Sequence, residues 1–289
     1  MTSIAINTKP MRAKTYWTSV LAKVGQDKTA WISGGVLAIL IFAAILAPWI
    51  SPDSPYHGSM MNRLEPIGSP GHLLGTDELG RDMVTRLIYG GRLSLLMGAL
   101  PVLFAFVIGS SIGLLAGFVG GKINMLIMRT FDVFYAFPSV LLAVAISGAL
   151  GPGMWNSLLA LTIVFIPQIV RVAESASTQV RQLDYIEAAK ISGASHFSII
   201  STHVISNVIG PVFVYTTGLI SVSMILSSGL SFLGLGVKPP EAEWGLMLNT
   251  LRPAIYTNPL LAALPGVLIF FTSIACNVLS DCFRSAMDS

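Results

Sequence analysis

The chain has 289 residues, 53% of them hydrophobic and 11% charged, with a mean hydropathy of +0.74. Soluble domains are about one quarter charged, so this balance excludes a soluble enzyme and places the chain in a membrane. The net charge of +3 is too small and too dispersed for a nucleic-acid partner. The two cysteines, Cys276 and Cys282, lie six apart at the end of the last apolar run, which is neither a disulfide framework nor a metal spacing.

Residues 1–30 form a basic tail, with Lys9, Arg12, Lys14, Lys23 and Lys28 against Asp27. Within it, residues 16–24 read as a basic amphipathic piece along the inner leaflet. The tail leads into Trp31–Ile50, which holds no charge and ends without an Ala-x-Ala cleavage site, so it reads as an uncleaved first span over 31–50. Residues 51–92 are a polar outer loop. Within it, residues 76–92 are expected to form an amphipathic surface helix with Met83, Leu87 and Ile88 on one side and Asp82, Arg86 and Tyr89 elsewhere. Arg81 and Asp82 read there as ion-pairing and capping residues rather than substrate ligands.

The remaining spans follow as five apolar runs at about 93–121, 133–149, 154–171, 207–234 and 258–281, with Arg171 and Asp281 at the ends of two of them. The third and fourth are separated by the breaker Gly148-Ala-Leu-Gly-Pro-Gly153. Gly109, Gly113 and Gly117 form a small-residue stripe that lets another helix approach closely. The fold class expected is thus an all-α membrane protein of six transmembrane helices. The five-span core covers 93–289, with a cytoplasmic segment at 174–206. For an even number of spans both ends share a side. With the N-terminus inside, 11 of the 17 Lys and Arg residues fall in inner segments and 6 in outer ones, which selects N-in, C-in.

Between spans four and five, Asp184-Tyr185-Ile-Glu187-Ala188-Ala189-Lys-Ile-Ser-Gly193 is a short polar helix in a greasy chain. Asp184 with Glu187 suggests a capping box, and Gly193 a left-handed stop. Two turns are too few to stand alone, so packing must hold the helix, and the small Ala188 and Ala189 suit a groove on a partner. A plain connector between two spans would look the same by these criteria.

Several motifs carry no chemistry. Ala116-Gly-Phe-Val-Gly-Gly-Lys122 lacks the first glycine and final Ser/Thr of a phosphate loop. Gly109-Ser-Ser111-Ile-Gly113 matches a nucleophile elbow, but it lies in a span with no histidine to act as base. His57, His72, His196 and His203 are scattered, which leaves no metal site and no catalytic residue. An intramembrane protease would need a serine–histidine or paired-aspartate set inside the spans. An ion-coupled carrier would need buried charge there, and the spans hold almost none.

Three ordered blocks carry a family resemblance: Glu187-Ala-Ala189 with Gly193; Leu74-Gly-Thr-Asp-Glu-Leu-Gly80-Arg81-Asp82 through Arg86 to Gly91-Arg92-Leu-Ser-Leu95; and Ser231-Phe-Leu-Gly-Leu-Gly236 with Pro239, Pro240 and Glu243-Trp-Gly245. Together they resemble the bacterial binding-protein-dependent ABC-transporter permeases, specifically the C-type subunits of the dipeptide, oligopeptide and nickel class. The resemblance implies a multi-pass subunit of the bacterial inner membrane that moves peptides. Nickel, metal chelates and opine or sugar conjugates are the alternative cargoes. It implies a second six-span permease, two cytoplasmic ABC ATPases that bind ATP and Mg, and an external substrate-binding protein, with no cofactor in this chain. Residues Asp184, Tyr185, Glu187, Ala188, Ala189 and Gly193 would then be the ATPase-docking helix. Gly80, Arg81, Asp82, Arg86 and Arg92 would belong to the outer gate or the binding-protein contact. Family members often read Leu-Pro-Asn after the position of His203. This chain has Ile205-Ser206-Asn207 and its next proline at Pro211, so the bend into span five is expected a turn later.

Overall fold

The computed structural model describes residues 16–51 and 53–288; the basic residues Lys9, Arg12 and Lys14 lie outside them. The described residues contain helices and loops but no extended strand. In chain order the helices are α1 (Tyr16–Val24), α2 (Lys28–Ile45), α3 (Ala47–Ile50), α4 (Met83–Val119), α5 (Gly121–Tyr135), α6 (Ser139–Leu150), α7 (Met154–Arg181), α8 (Asp184–Ile191), α9 (His196–Ile199), α10 (Ile205–Phe232), α11 (Trp244–Thr250) and α12 (Pro259–Asp288). Five helical stretches are long and apolar enough to cross a membrane, or six if the bent pair α5–α6 counts as one crossing.

Helix α2 starts where Asp27 accepts a 2.8 Å bond from the Thr29 amide, which satisfies one of the free first-turn donors. The Trp31 indole donates to the Gly25 carbonyl at 2.8 Å and ties down the turn from α1. Val20 of α1 is buried, and that helix packs on α12.

The expected amphipathic helix at 76–92 is not a separate element. Residues 76–82 form a folded turn, and Asp82 caps a helix that runs unbroken from Met83 to Val119, about 55 Å at 1.5 Å per residue. Its cap is a 2.8 Å bond from the Thr85 amide. Two glycines, Gly90 and Gly91, sit where the loop was expected to give way to span two. They stay helical, and their missing side chains make room for the Trp244 indole, 3.1 and 3.2 Å from where a Cβ would stand.

The main helix pair is α4 against α7. Gly109, Gly113 and Gly117 form its seam: a Cβ on Gly113 would lie 2.7 Å from Ala173 Cβ, and one on Gly117 2.8 Å from Ser177 Cβ. Helix α10 sits centrally, in contact with α4, α7, α11 and α12, while α2 lies outside against α12 and α4. The largest apolar core, from Val102 and Phe165 through Ile186 to Val212, joins α4, α7, α8 and α10.

Two expectations about the spans need correction. The run at 133–149 is not one straight span, because α5 and α6 meet at 88° across residues 136–138. Pro138 has no N–H to give and pushes the residue before it out of the helical region, a signal that counting charges overlooks. The bend into the fifth span does not fall after Pro211 either. The chain is helical from His196 to Phe232, with its irregularity a π turn at Ile200–Val204 and Pro211 accommodated inside α10. A proline inside a membrane helix is tolerated where neighbouring helices support the freed carbonyl.

Candidate functional site

Helix α8 is held by a single deep anchor. Ile186 is fully buried in the core with Val180, Ile199 and Val204. Lys190 places its ammonium 5.6 Å from the Phe118 ring at the end of α4. The Tyr185 hydroxyl accepts a 3.3 Å bond from the Asn207 amide on α10. These ties fasten α8 to the ends of α4, α7 and α10 together, so a force on α8 is delivered to three long helices.

The helix begins differently from the expectation. Leu183 occupies the N-cap with no side-chain bond, and Asp184 lies in the first turn with Glu187. Both acids still favour that end, through the helix dipole rather than through a capping box. The other end is as expected. Gly193 has φ +81°, its amide donates to Lys190 O at 3.0 Å, and the Ala194 amide donates to Ala189 O at 3.1 Å. This is the left-handed two-bond stop that glycine permits without strain.

Of the six residues singled out here, Asp184, Tyr185, Glu187, Ala188 and Gly193 are exposed, while Ala189 is half-buried against the core. The flat face therefore rests on Ala188 rather than on both alanines. Sequence reasoning passed over Ile191 and Phe197, each 81% exposed beside that face. The signal was available: two large apolar side chains in a polar segment.

The residues picked from the 51–92 segment come together as well, but inside the loop. The Arg81 guanidinium bonds Asp77 at 2.6 Å and Glu78 at 2.8 Å, and Arg86 lies 3.0 Å from the same Asp77 carboxylate. Arg86 also donates to Pro55 O at 3.0 Å and Glu241 O at 3.2 Å, which joins three distant loops. Gly80 has φ +70°, and a Cβ there would run into the Ser59 backbone. Asp82 caps α4 and contacts His72 Nδ1 at 3.1 Å. Arg92 donates to Ala44 O at 2.6 Å and Ile45 O at 2.9 Å, pinning α4 to the end of α2. Gly80, Arg81 and Arg86 are buried, and Asp82 and Arg92 are half-buried. Their bonding capacity is directed inward and shapes the cap.

A second buried acid, Glu243, caps α11 by accepting from the Gly245 and Leu246 amides at 2.9 and 2.8 Å and from the Ser94 hydroxyl at 3.0 Å. Beside it the Trp244 indole donates to Leu87 O at 2.9 Å. Burial raises the Glu243 carboxyl above its ordinary 4.5, against the lowering effect of these hydrogen bonds. The folded chain thus holds this proton more tightly than the unfolded chain. Stability is expected to fall as pH rises through the window from 4.5 up to the raised value. Thermal unfolding in detergent across that range should show the slope, and Glu243→Gln should flatten it. An unchanged slope in the variant would assign it to another group.

No group of three or more His, Cys, Asp or Glu side chains able to hold a metal occurs among the described residues.

Residues 109–289 match the family model described as the binding-protein-dependent transport system inner membrane component. That match covers more than half of the chain. The protein belongs to this permease family. Residues 15–66 also match the N-terminal transmembrane domain of oligopeptide transport permease C, a stretch that holds α1, α2, α3 and the start of the loop before α4. The di/tripeptide transport system permease of Pseudomonas aeruginosa is 38% identical over 286 residues, covering 96% of this chain and 92% of that one. The glutathione transport system permease of Pectobacterium atrosepticum is 36% identical, covering 95% and 91%. Among solved structures, an inward-facing methionine ABC transporter, MetNI, aligns with a TM-score of 0.57 at 19% identity. It covers 71% of this chain and 97% of the other, a likeness of fold. This permease is therefore a non-catalytic, multi-pass membrane subunit. Its family works within assemblies that include a binding protein and ATPases.

Proposed function

We propose that this permease is the C-type subunit of an ATP-driven importer of di- or oligopeptides in the bacterial inner membrane. It forms half of the pathway beside a second six-span permease, with six crossings and both ends inside. Two cytoplasmic ABC ATPases bind ATP and Mg, and one of them grips α8. An external binding protein delivers substrate at the outer cap, whose shape Gly80, Arg81, Asp82, Arg86 and Arg92 maintain. The relatives named for di/tripeptide and glutathione transport favour a peptide cargo.

The observation that carries this reading is the build of α8. It has one buried anchor, Ile186, an exposed face of Glu187, Ala188 and Ile191, and ties to three long helices. Such a part transmits a push. Closure of the ATPases would move α8, and α7 and α10 would tilt with it, opening the pathway to alternate sides.

The test uses the whole importer in proteoliposomes. Glu187→Lys and Gly193→Val are each expected to lower peptide uptake about tenfold or more while hydrolysis continues, the glycine change through roughly 1–2 kcal/mol of left-handed strain. Normal uptake by both variants in an assembled complex would remove α8 from the coupling step.

A further inference from the structure

The bend between α5 and α6 opens a cavity of about 170 Å³, lined by Tyr135, Phe137, Ser139, Pro167 and Gln168 among others. Polar groups stand on its wall and next to it, with Gln168 and Tyr135 in the lining and Arg171 beside Tyr135. The Gln168 side-chain oxygen accepts a 3.3 Å bond from the Tyr215 hydroxyl on α10. The Arg171 guanidinium stacks 4.4 Å from the Tyr135 ring centre and donates to Asp132 at 2.7 Å. Arg129 lies 3.7 Å from the same carboxylate. Two guanidiniums thus share one carboxylate, Arg171 in close contact and half-exposed, Arg129 farther away and 79% exposed.

The depth of this cluster follows from the helix register. Thr217, two residues from Tyr215, shares a 3.0 Å hydrogen bond with Ser280 of α12. Asp281, the next residue, is the first charge after the apolar stretch of α12. The cavity therefore sits where the uncharged part of the bundle ends on the α8 side, at the inner mouth. Tyr215 of α10 reaches its wall through the bond to Gln168. A half-exposed arginine at a broken helix is costly against lipid tails and is found instead lining water or a partner protein.

The geometry points to this cavity, together with the Arg171–Asp132 pair that flanks it at Tyr135, as a substrate-contact station at the inner mouth of the pathway. There Arg171 exchanges Asp132 for a carboxylate of the passing peptide, and the Gln168 amide meets its main chain. A guanidinium suits a carboxylate through paired hydrogen bonds, and Asp132 already occupies that position as the resting partner. A primary amide offers a peptide group both a donor and an acceptor. The inference rests on the importer reading above and adds the part of the cargo that is recognised.

The test has two arms in the complete importer. In a Cys276→Ala, Cys282→Ala background, Gln168→Cys should react with a charged, membrane-impermeant maleimide. Its rate should change about tenfold between the nucleotide-free and vanadate-trapped states, as expected of a water-lined gating position. No reaction, or one rate in both states, would take this wall out of the pathway. In the second arm, uptake is compared for a peptide with a free terminal carboxylate and for its C-terminal amide, a pair chosen because the unmodified importer accepts both. Arg171→Gln should lower the acid-to-amide uptake ratio about tenfold, the size of one charge-assisted hydrogen bond, with Arg171→Lys recovering part of it. Equal loss for both peptides would overturn the carboxylate contact. So would a loss confined to vesicles containing phosphatidylglycerol and absent from phosphatidylcholine, because the arginine would then serve a lipid headgroup. Absence of ATP-dependent uptake by the unmodified complex would instead sink the importer reading, so the two failures are separable.

Discussion

Asp77→Ala is expected to destabilise the loop cap before α4 by about 3–5 kcal/mol, the cost of removing one partner from a buried ion cluster. Asp77 is the shared acid of Arg81 and Arg86, and all three side chains are 4% exposed or less. With Glu78 the cluster holds two acids and two bases, so it is neutral as built. Without Asp77, two guanidiniums face one remaining carboxylate, and the Leu79 and Arg81 amides lose the acceptor they reach at 2.9 Å. Arg86 would then have its backbone carbonyls alone to hold the turn to residues 55 and 241. Denaturant unfolding in detergent, together with proteolysis of the 51–82 loop, measures the loss. A change below about 1 kcal/mol would mean that water already reaches the guanidiniums and the cap is not held by charge.

Gly113→Val should be nearly as severe, at about 3 kcal/mol, because the added carbons have nowhere to go. The first of them would meet the Val170 carbonyl, Ala173 Cβ at 2.7 Å and the Glu174 amide nitrogen at 3.0 Å, and two of those three are backbone. Side chains can turn aside, but the backbone of α7 can move only if the whole helix moves. Gly117 is similarly confined by α7, whereas Gly109 has its nearest contact at 3.0 Å on the Ile169 side chain. Alanine at Gly109 should accordingly cost less than alanine at Gly113 or Gly117. Gly34→Ala on α2 provides the control: nothing lies within 4 Å of its added carbon. Helix propensity then favours the alanine by up to about 1 kcal/mol. If Gly34→Ala and Gly113→Ala unfolded alike, the seam between α4 and α7 would not be the close contact described.

Much of this architecture is local and could be read directly. Apolar runs reveal membrane helices because each residue's transfer cost is paid wherever it sits, so the positions of α2, α7, α10 and α12 follow from composition. The stop at Gly193 is also local, because a glycine after a short helix serves a conformation that other residues resist. The spacing of Gly109, Gly113 and Gly117 shows that a helix comes close but does not say which one. The match to α7 belongs to the tertiary structure.

What sequence reading missed was non-local or was a matter of geometry. The cap of α8 moved by one residue because Asp184 entered the first turn, a choice made where α7 hands over to α8. The bend at Pro138 was hidden because the run around it carries no charge. The sequence reads Arg81 as an ion-pairing residue, but the burial of Arg81 and Arg86 is not legible in it, because charged residues in a loop are usually exposed. Their burial depends on Asp77 close by and on carbonyls 31 and 155 residues from Arg86, which no local window contains.

Sequence by itself determined that this is a helical membrane permease with a short polar helix between long apolar ones, since hydropathy and turn chemistry act residue by residue. The tertiary structure decided which charges are hidden, where the chain breaks between α5 and α6 and which long helices α8 is tied to. Those outcomes depend on groups that meet only after the chain has folded.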